Sequence, residues 1–249
     1  MKNIIVSNFG NDSIALIQWC INHKIENLEV VCVDTKWANS IWKDRCIEVK
    51  QFLNKNKINL QILESAVSFS DAVIEKKEFP NQKFQWCAGI LKGLPILEWL
   101  DEIDSFCEAN ILIAALKSSS RGYFHTSEVI DESEHFGDRK VWHPILELSR
   151  QQRDELILQS GISLLSFNRS LECDPCVNCQ IKDLTSLSDN KDIEKVVNLE
   201  KTLNKTLFEV DIKTAVNQSK KLKAQDAKNI DNSLDSYNMG CGSVYGCGT

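Results

Sequence analysis

The sequence predicts an α/β protein in which a parallel sheet of five strands is covered by helices on both faces. Short apolar runs, typical of buried strands, alternate with longer stretches of helical apolar spacing through the first 116 residues. Two of the runs, LEVVCVD at 28–34 and ANILIAAL at 109–116, are almost continuously apolar. Buried strands of parallel sheets have this composition because both of their faces are covered.

The predicted elements follow one another in a regular order. Strands are predicted at 3–7, 28–34, 58–65 and 109–116, with a last strand in KVWHPIL at 140–146. Helices are predicted at 13–24, 40–55, 69–77, 88–106 and, largely polar, 191–229. A further helix is predicted between Ser149 as N-cap and Gly161 as its end. The polar segment 117–140 is predicted to be rich in loops.

Composition excludes several classes of protein. The 249 residues carry 29 basic and 35 acidic side chains, a net charge of −6, and 43% of them are hydrophobic, which is ordinary for a globular chain. The acidic balance argues against coating nucleic acid by bulk charge, although it leaves room for a local basic groove. The apolar runs are too short to span a bilayer and the N-terminus has no secretory h-region. A cytoplasmic location without membrane contact is therefore expected.

Ten cysteines are the unusual feature of the chain. Four stand in apolar surroundings and are predicted to be small core residues: Cys20, Cys32, Cys46 and Cys107. Six stand beside Gly, Pro or polar residues: Cys87, Cys173, Cys176, Cys179, Cys241 and Cys247. In a reducing compartment such a set favours metal binding or redox chemistry over disulfides.

The junction NFGNDS at 8–13 joins the first strand to the first helix. A turn with Gly10 at an unusual backbone angle would direct N–H groups to one point, where the helix dipole adds positive potential. The polar side chains of Asn8, Asn11 and Ser13 would add phosphate contacts. The alternative is a tight turn in which Asp12 or Ser13 caps the helix. No G-K-[ST] follows the glycine, so the junction is not a Walker loop.

This junction resembles the PP-loop, whose usual pattern is S-G-G-x-D-S. Gly10, Asp12 and Ser13 match the pattern, whereas Asn8 replaces the first Ser and Phe9 the first Gly. Five further segments resemble, in the right order, the family of phosphoadenylyl-sulfate (PAPS) reductases: VDTKW at 33–37, WCAGILKGLP at 86–95, LKSSSRGY at 116–123, WHPILELSRQQRDELILQSGI at 142–162 and ECDPCVNC at 172–179. The resemblance extends over roughly residues 4–180.

The resemblance implies an adenine-nucleotide α-hydrolase-like fold that binds ATP with Mg²⁺ at the carboxyl ends of the strands. The rule for ligands of open α/β sheets independently points to that edge. By carry-over, the phosphates would be held by Ser7, Asn8, Gly10, Asn11, Asp12 and Ser13. Asp34, with Thr35 beside it, would lie near the ribose or adenine, and Lys92 and Arg121 would supply positive charge. The alternatives are that Asp34 caps a neighbouring turn and that Lys92 is a solvated helix charge.

The spacing C-x2-C-x2-C at Cys173, Cys176 and Cys179 can direct three thiolates to one centre, and Cys87 is the best candidate for a fourth. In iron–sulfur members of the resembled family, the cysteine segments at these two places jointly hold a [4Fe–4S] cluster, two from each segment. Here the distribution would be one plus three. Zinc on the same thiolates and unliganded loop thiols are the alternatives.

Cys241 and Cys247 lie in the Gly-rich tail MGCGSVYGCGT, which is predicted to be mobile. Mobility suits a thiol that moves between sites, so both are candidate catalytic residues together with Asp12, Lys92 and Arg121. The Glu-Cys-Gly-Leu-His type motif of sulfonucleotide reductases is absent. The pair would instead carry a persulfide or close as a disulfide, and an incidental role is the alternative.

These observations divide the chain into a PP-loop nucleotide-binding domain at 1–165, a cysteine-rich segment at 166–190 and a helical extension with a tail at 191–249. The leading hypothesis is an ATP pyrophosphatase that adenylates a substrate for sulfur transfer. The chain is similar to the small reductase-like members of DNA phosphorothioation systems. That similarity implies a cysteine desulfurase as partner and DNA, or a DNA-bound complex, as acceptor.

Two other hypotheses remain open. The first is a sulfonucleotide reductase that releases sulfite from PAPS or adenylyl sulfate, with a tail cysteine as nucleophile. The second is a nucleotide- and cluster-binding partner protein without turnover. The substituted PP-loop supports the second, because loss of a glycine hinders close approach of backbone to phosphate.

Overall fold

A computed structural model describes residues 1–81, 84–117, 127–166, 169–179, 181–187, 190–226 and Tyr245. Its strands are β1 (Asn3–Val6), β2 (Leu28–Asp34), β3 (Asn59–Glu64), β4 (Asn110–Ile113), β5 (Val129–Ser133) and β6 (Arg139–Trp142). They form one sheet in the order β3-β2-β1-β4-β6-β5. The order reverses direction between β1 and β4, and such a switch point is where open α/β sheets bind their ligands.

The predicted α/β class is confirmed, with one strand more than predicted. β1 pairs in parallel with β2 and β4, β2 with β3, and β4 with β6. The added strand, β5, is antiparallel to β6 and lies in the segment predicted to be loop-rich. Its residues are mostly exposed, and Asp131 and Glu132 give it the charge that protects edge strands from further pairing. Because of these charged residues, the segment has no apolar run, and the hydrophobicity pattern did not predict a strand there.

Helices follow β1, β2, β3 and β6, as predicted, but the described part of the stretch predicted to be helical at 191–229 forms two helices with a break at 204–211. The helices are α1 (Asn11–Asn22), α2 (Ser40–Lys55), α3 (Phe69–Lys76), α4 (Trp86–Ala88), α5 (Leu94–Ile103), α6 (Arg150–Ser160), α7 (Asn190–Leu203) and α8 (Ile212–Asp226). A π-helical turn at Gly89–Gly93 joins α4 to α5, and 3-10 turns occupy Glu134–Phe136 and Ile181–Ser186.

The predicted ends of α6 are confirmed. Ser149 accepts a hydrogen bond from the backbone N–H of Gln152, whose side chain bonds back to Ser149. Gly161 takes the left-handed conformation that ends the helix.

Helices cover both faces of the central strands. Ile5 of β1 packs with α1, α2 and α6, whereas its neighbours Ile4 and Val6 pack with α5 on the opposite face. A second apolar core lies beside the sheet, where α3, α7 and α8 enclose the segment that carries the predicted metal ligands. We call it the side core; its fully buried members include Val73, Leu184 and Val196.

The core assignment of the cysteines is correct in part. Cys20 and Cys32 are buried and Cys46 is half-buried, but Cys107 is exposed. Cys107 lies in the turn after α5 and has a left-handed backbone angle. All eight cysteines in the described ranges are free thiols. None of the helices in these ranges is long and apolar enough to cross a membrane.

Candidate active site

The junction at 8–13 lies at the carboxyl end of β1, at the switch point of the sheet. Its N–H groups contact side chains of the loop itself. The Asn8 amide oxygen accepts from Gly10 N at 2.8 Å and from the Ser13 hydroxyl at 2.8 Å. The Ser7 hydroxyl accepts from Phe9 N at 3.1 Å. The loop is therefore preformed, with polar side chains at the positions predicted to meet phosphate.

The unusual backbone angle falls on Phe9, not on Gly10 as predicted. Phe9 has φ +58°, whereas Gly10 has φ −67° and forms the N-cap of α1. Neither Asp12 nor Ser13 caps the helix, so that alternative is also wrong. Phe9 adopts the conformation for which glycine is favoured, and its fully buried ring stacks on Trp42 with centroids 6.3 Å apart.

Helix α2 fixes the loop from beneath. The Trp42 indole N–H donates to the Asn8 carbonyl at 2.9 Å. This tryptophan therefore holds the loop by a hydrogen bond as well as by packing on Phe9. Arg45 Nε donates to the Phe9 carbonyl at 2.6 Å and Nη1 to the Ser163 carbonyl at 2.6 Å. Burial lowers the pKa of Arg45. No motif in the sequence pointed to this arginine, because it acts on a loop far away in the chain.

Asp12 and Asn11 hold the loop to the chain around α6. The Asp12 carboxylate is buried and accepts from Arg153 Nη1 at 3.0 Å. The Asn11 amide makes two 3.0 Å hydrogen bonds with the backbone of Leu165. The structure thus gives both predicted phosphate contacts a positioning role, and it adds Arg153, which sequence reasoning missed.

The end of β2 connects the loop region to the cysteine-rich segment. Asp34 accepts a hydrogen bond from Lys36 N at 2.8 Å, so it caps a turn, as the alternative interpretation had it. The Thr35 hydroxyl donates to the Glu172 carbonyl at 2.7 Å, and the Asn39 amide donates to the Asp174 carboxylate at 2.8 Å.

Three of the four predicted metal ligands line one cavity of about 30 Å³, which we call the cysteine pocket. They are Cys87, Cys173 and Cys176, and other walls come from Thr35, Lys92, Arg169, Glu172 and Asn178. Cys179 is buried in the side core, where burial raises its pKa well above the usual value. Within the described ranges, no three His, Cys, Asp or Glu side chains are arranged around one metal position. Metal ligation stays a prediction.

Lys92 forms a buried ion pair with Glu172 in this pocket. Both side chains are about 5% exposed, so Lys92 is not the solvated helix charge of the alternative interpretation. A buried lysine needs such a partner, because an uncompensated charge is costly in a low dielectric. The pair links the π-helical turn to the cysteine-rich segment, and no spacing in the sequence indicated Glu172.

Arg169 brings positive charge to the thiols. Burial lowers the pKa of Arg169. Its electrostatic interactions with nearby groups outweigh burial and raise that pKa overall; the groups are Cys176, Cys179, Asp183 and Cys173. Arg169 Nη2 and Asn178 Nδ2 are buried and have no hydrogen-bond partner among the residues that the structure describes. Buried donors of this kind beside thiols suit a bound group that carries negative charge, as an iron–sulfur cluster does.

Three predicted catalytic residues, Arg121, Cys241 and Cys247, lie outside the described residues. Tyr245, between the two cysteines, is described. Its ring lies 5.6 Å from that of Phe136, and a methyl group on Gly93 would come within 2.7 Å of it. Burial raises the pKa of Tyr245.

The sheet is mostly parallel, and the preformed loop lies at its switch point with a thiol-lined pocket beside it. This arrangement is typical of doubly wound α/β proteins, which bind ligands at the carboxyl ends of their strands. The chain belongs to the phosphoadenosine phosphosulfate reductase domain family, whose model matches residues 2–170. The family assignment made from the motifs is thereby confirmed.

Solved structures were also compared. Phosphoadenylyl-sulfate (PAPS) reductase from Candida auris is 13% identical with a TM-score of 0.46, covering 66% of this chain and 73% of that one. NH3-dependent NAD synthetase from Campylobacter jejuni subsp. jejuni is 16% identical with a TM-score of 0.43, covering 94% and 88%. No curated protein matches the sequence.

Proposed function

We propose that this protein is a PP-loop ATP pyrophosphatase that activates a substrate by adenylation for sulfur transfer. The observation that carries the proposal is the direct attachment of the cysteine pocket to the ligand edge. Thr35, at the end of β2, donates to the carbonyl of Glu172, which lines the pocket. Nucleotide chemistry and sulfur chemistry would therefore meet at one edge of one sheet.

The proposed reaction has two steps. An acceptor oxygen attacks the α-phosphorus of ATP, the bond to pyrophosphate breaks, and the acceptor carries AMP. A sulfur nucleophile then displaces AMP and forms the new bond to the acceptor. The N-terminus of α1, which begins after Gly10, would steady the leaving pyrophosphate of Mg²⁺-ATP together with the Ser7, Asn8 and Ser13 side chains. Asn11 would position this loop through its hydrogen bonds to Leu165. Asp34 and Thr35 would lie near the ribose.

The proposed sulfur site consists of Cys87, Cys173, Cys176 and Cys179. These thiols would hold a [4Fe–4S] cluster, with zinc as the alternative, and the cluster would supply redox or sulfur-handling chemistry when bound. The buried donors of Arg169 and Asn178 support a negatively charged occupant. Anaerobic iron and sulfide analysis of wild type and Cys176→Ser separates the two metals.

A cysteine desulfurase is the proposed sulfur donor, and DNA or a DNA-bound complex the proposed acceptor. Both rest on the similarity to the small members of DNA phosphorothioation systems. The net charge of −6 is unfavourable for holding DNA alone, so we expect the acceptor to be presented in a complex.

The first test is pyrophosphate release from ATP in the presence of a cysteine desulfurase and cysteine. Ser13→Ala removes one predicted phosphate contact, and we expect a loss of about 10²-fold, the usual cost of one transition-state donor. Ser105→Ala, in an exposed turn after α5, is the matched control and should keep full activity. Equal rates for the two variants would contradict the assignment of the loop.

The second candidate is a sulfonucleotide reductase, favoured by the match to the PAPS reductase domain model. It predicts sulfite release from PAPS with thioredoxin and no pyrophosphate from ATP. Nucleotide binding without either product would instead indicate the non-catalytic partner protein.

A further inference from the structure

Strand β3 forms one edge of the sheet, and its outer side is open. Among the residues that the structure describes, only β2 pairs with β3, in a register that runs without a bulge from Asn59 to Glu64. Most residues of the strand are exposed, and Ile62 is 42% exposed although it is apolar. An edge strand of this kind is a template for pairing with another strand.

The opposite edge of the sheet is built differently. There β5 carries Asp131 and Glu132, and its register with β6 is irregular. Charged residues and irregular pairing protect edge strands from association. β3 has a regular register, and it has no charged residue before Glu64 at its end. The sheet therefore protects one edge and leaves the other able to pair.

The hydrogen bonds between β3 and β2 determine which backbone groups of β3 face outward. Ser65 N donates to the Asp34 carbonyl at 3.1 Å. Successive residues of a strand direct their N–H and C=O groups to opposite sides, so the other odd-numbered residues of β3 also face β2. The even-numbered residues Leu60 and Ile62 therefore direct both of their backbone groups away from the sheet.

This pattern is complementary to itself in antiparallel pairing. When β3 of a second copy lies antiparallel with Gln61 opposite Gln61, Leu60 of each copy stands opposite Ile62 of the other. Both residues of such a pair have outward N–H and C=O groups, so each pair exchanges two hydrogen bonds. Opposite residues also lie on the same face, so Leu60 of one copy covers the exposed side chain of Ile62 of the other.

The charges at the two ends of β3 favour the antiparallel direction. Lys57, just before the strand, is exposed, and the side chain of Glu64, at its end, is 77% exposed. Antiparallel pairing brings Lys57 of each copy near Glu64 of the other, whereas parallel pairing would bring like charges together. Lys36 already lies 3.6 Å from Glu64, and exposed ion pairs contribute little, so these charges select the direction and add little strength.

We propose that the outer edge of β3 binds β3 of a second copy of this chain in an antiparallel, two-fold symmetric dimer. The two sheets then form one continuous sheet. The same edge is used by both copies, so the assembly closes at the dimer. The paired strands form a small interface, so the dimer dissociates on dilution. The inference is independent of the proposed function, because the ligand edge lies at the ends of the strands and stays open.

Sedimentation velocity of the full chain at concentrations up to about 1 mM tests the association. We expect wild type to change from monomer to dimer as the concentration rises. Ile62→Lys should weaken the dimer at least about tenfold, because each dimer receives two lysines at paired apolar positions. Leu158→Lys, at a 73% exposed leucine of α6, is the matched control and should dimerise like wild type.

Three results would overturn the inference. They are a wild type that stays monomeric throughout, an Ile62→Lys variant that dimerises normally, and equal weakening by Leu158→Lys. Urea unfolding at low concentration identifies any variant that fails to fold.

Disulfide formation tests the register with a second pair of variants. Gln61→Cys places two thiols opposite each other where Cα atoms of antiparallel strands lie about 4.5 Å apart, which a disulfide can span. Asn59→Cys is exposed on the same strand, but its two copies would lie about 13 Å apart. Under mild oxidation we expect a covalent dimer above the wild-type background from Gln61→Cys only. Equal amounts from both variants, or none from Gln61→Cys, would disprove the pairing.

Discussion

Phe9 shows at the scale of one residue how a departure from a motif is accommodated. The PP-loop pattern has glycine at this position, and Phe9 adopts the left-handed angle that glycine favours. Its ring is fully buried against Trp42, so packing offsets a backbone cost of about 1–2 kcal/mol. The loop therefore has a left-handed backbone angle at this position although the residue is not glycine.

Because of this balance, the glycine variant at position 9 should be more stable than the alanine variant, which is the reverse of the usual order. Phe9→Ala loses about 3–5 kcal/mol of packing and keeps the backbone cost, whereas Phe9→Gly loses the packing but relieves that cost. We expect Phe9→Gly to unfold at higher urea concentration than Phe9→Ala. At Phe52, inside α2, the order should be the normal one, with glycine about 1 kcal/mol worse. The same order at both positions would disprove the account.

His143 predicts how stability depends on pH. Burial lowers the pKa of this imidazole, although Nδ1 lies 2.9 Å from the Ser127 carbonyl. The folded state thus keeps the ring neutral, while the unfolded chain takes up a proton near pH 6.5. Stability is fully present above that pH and is lost as the pH falls, at up to about 1.4 kcal/mol per pH unit.

Urea unfolding of wild type and His143→Gln between pH 5 and pH 8 measures this dependence. The variant should lose part of the slope below pH 6.5, whereas His135→Gln, at an exposed histidine, should retain it. Identical slopes for wild type and His143→Gln would contradict the role of burial.

At the scale of elements, the π-helical turn between α4 and α5 holds two glycines with opposite surroundings. Gly93 and Pro95 are the two poorest helix formers of this stretch, yet both lie in continuous helical chain, with Pro95 in the first turn of α5. A methyl group on Gly89 would meet nothing within 4 Å, whereas one on Gly93 would collide with the Tyr245 ring.

Because of these surroundings, we expect a glycine-to-alanine substitution to stabilise the protein at Gly89 and to destabilise it at Gly93. Gly89→Ala should stabilise the protein by about 0.5–1 kcal/mol, because alanine is the better helix former. Gly93→Ala should destabilise it because the added methyl group displaces the Tyr245 ring, and urea unfolding measures both effects. In a Tyr245→Ala background the cost of Gly93→Ala should disappear. A cost that persists in that background would rule out the contact as its cause.

At the scale of the whole molecule, the sequence predicts the strands of the parallel sheet, because each is a local apolar run between turns. It also predicts the caps of α6, which depend on neighbours in the chain. It does not predict the ion pairs of Arg153 with Asp12 and of Glu172 with Lys92. It also does not predict that Arg169 lies beside the thiols. Those contacts join residues about 80 or more positions apart or depend on packing, and no local pattern records them.

A leucine-to-alanine substitution should have different effects in the two cores. Leu53 of α2 belongs to the sheet core and Leu199 of α7 to the side core that encloses the cysteine-rich segment. Replacement of either by alanine should cost about 2–5 kcal/mol. Only Leu199→Ala should also speed the reaction of the pocket thiols with a disulfide reagent under native conditions. Equal acceleration by Leu53→Ala would show that the cores are not separate.

The side core has a consequence for biosynthesis. Val177 and Cys179 pack against Val196, Ile212 and Val216, so the enclosure of the cysteine-rich segment needs chain that the ribosome makes some forty residues later. The thiols are synthesised before their cover exists, and they are exposed to oxidants during that interval. We therefore expect expression under low oxygen to raise the fraction of chains with intact thiols, although the finished fold buries Cys179 and half-buries Cys173 and Cys176.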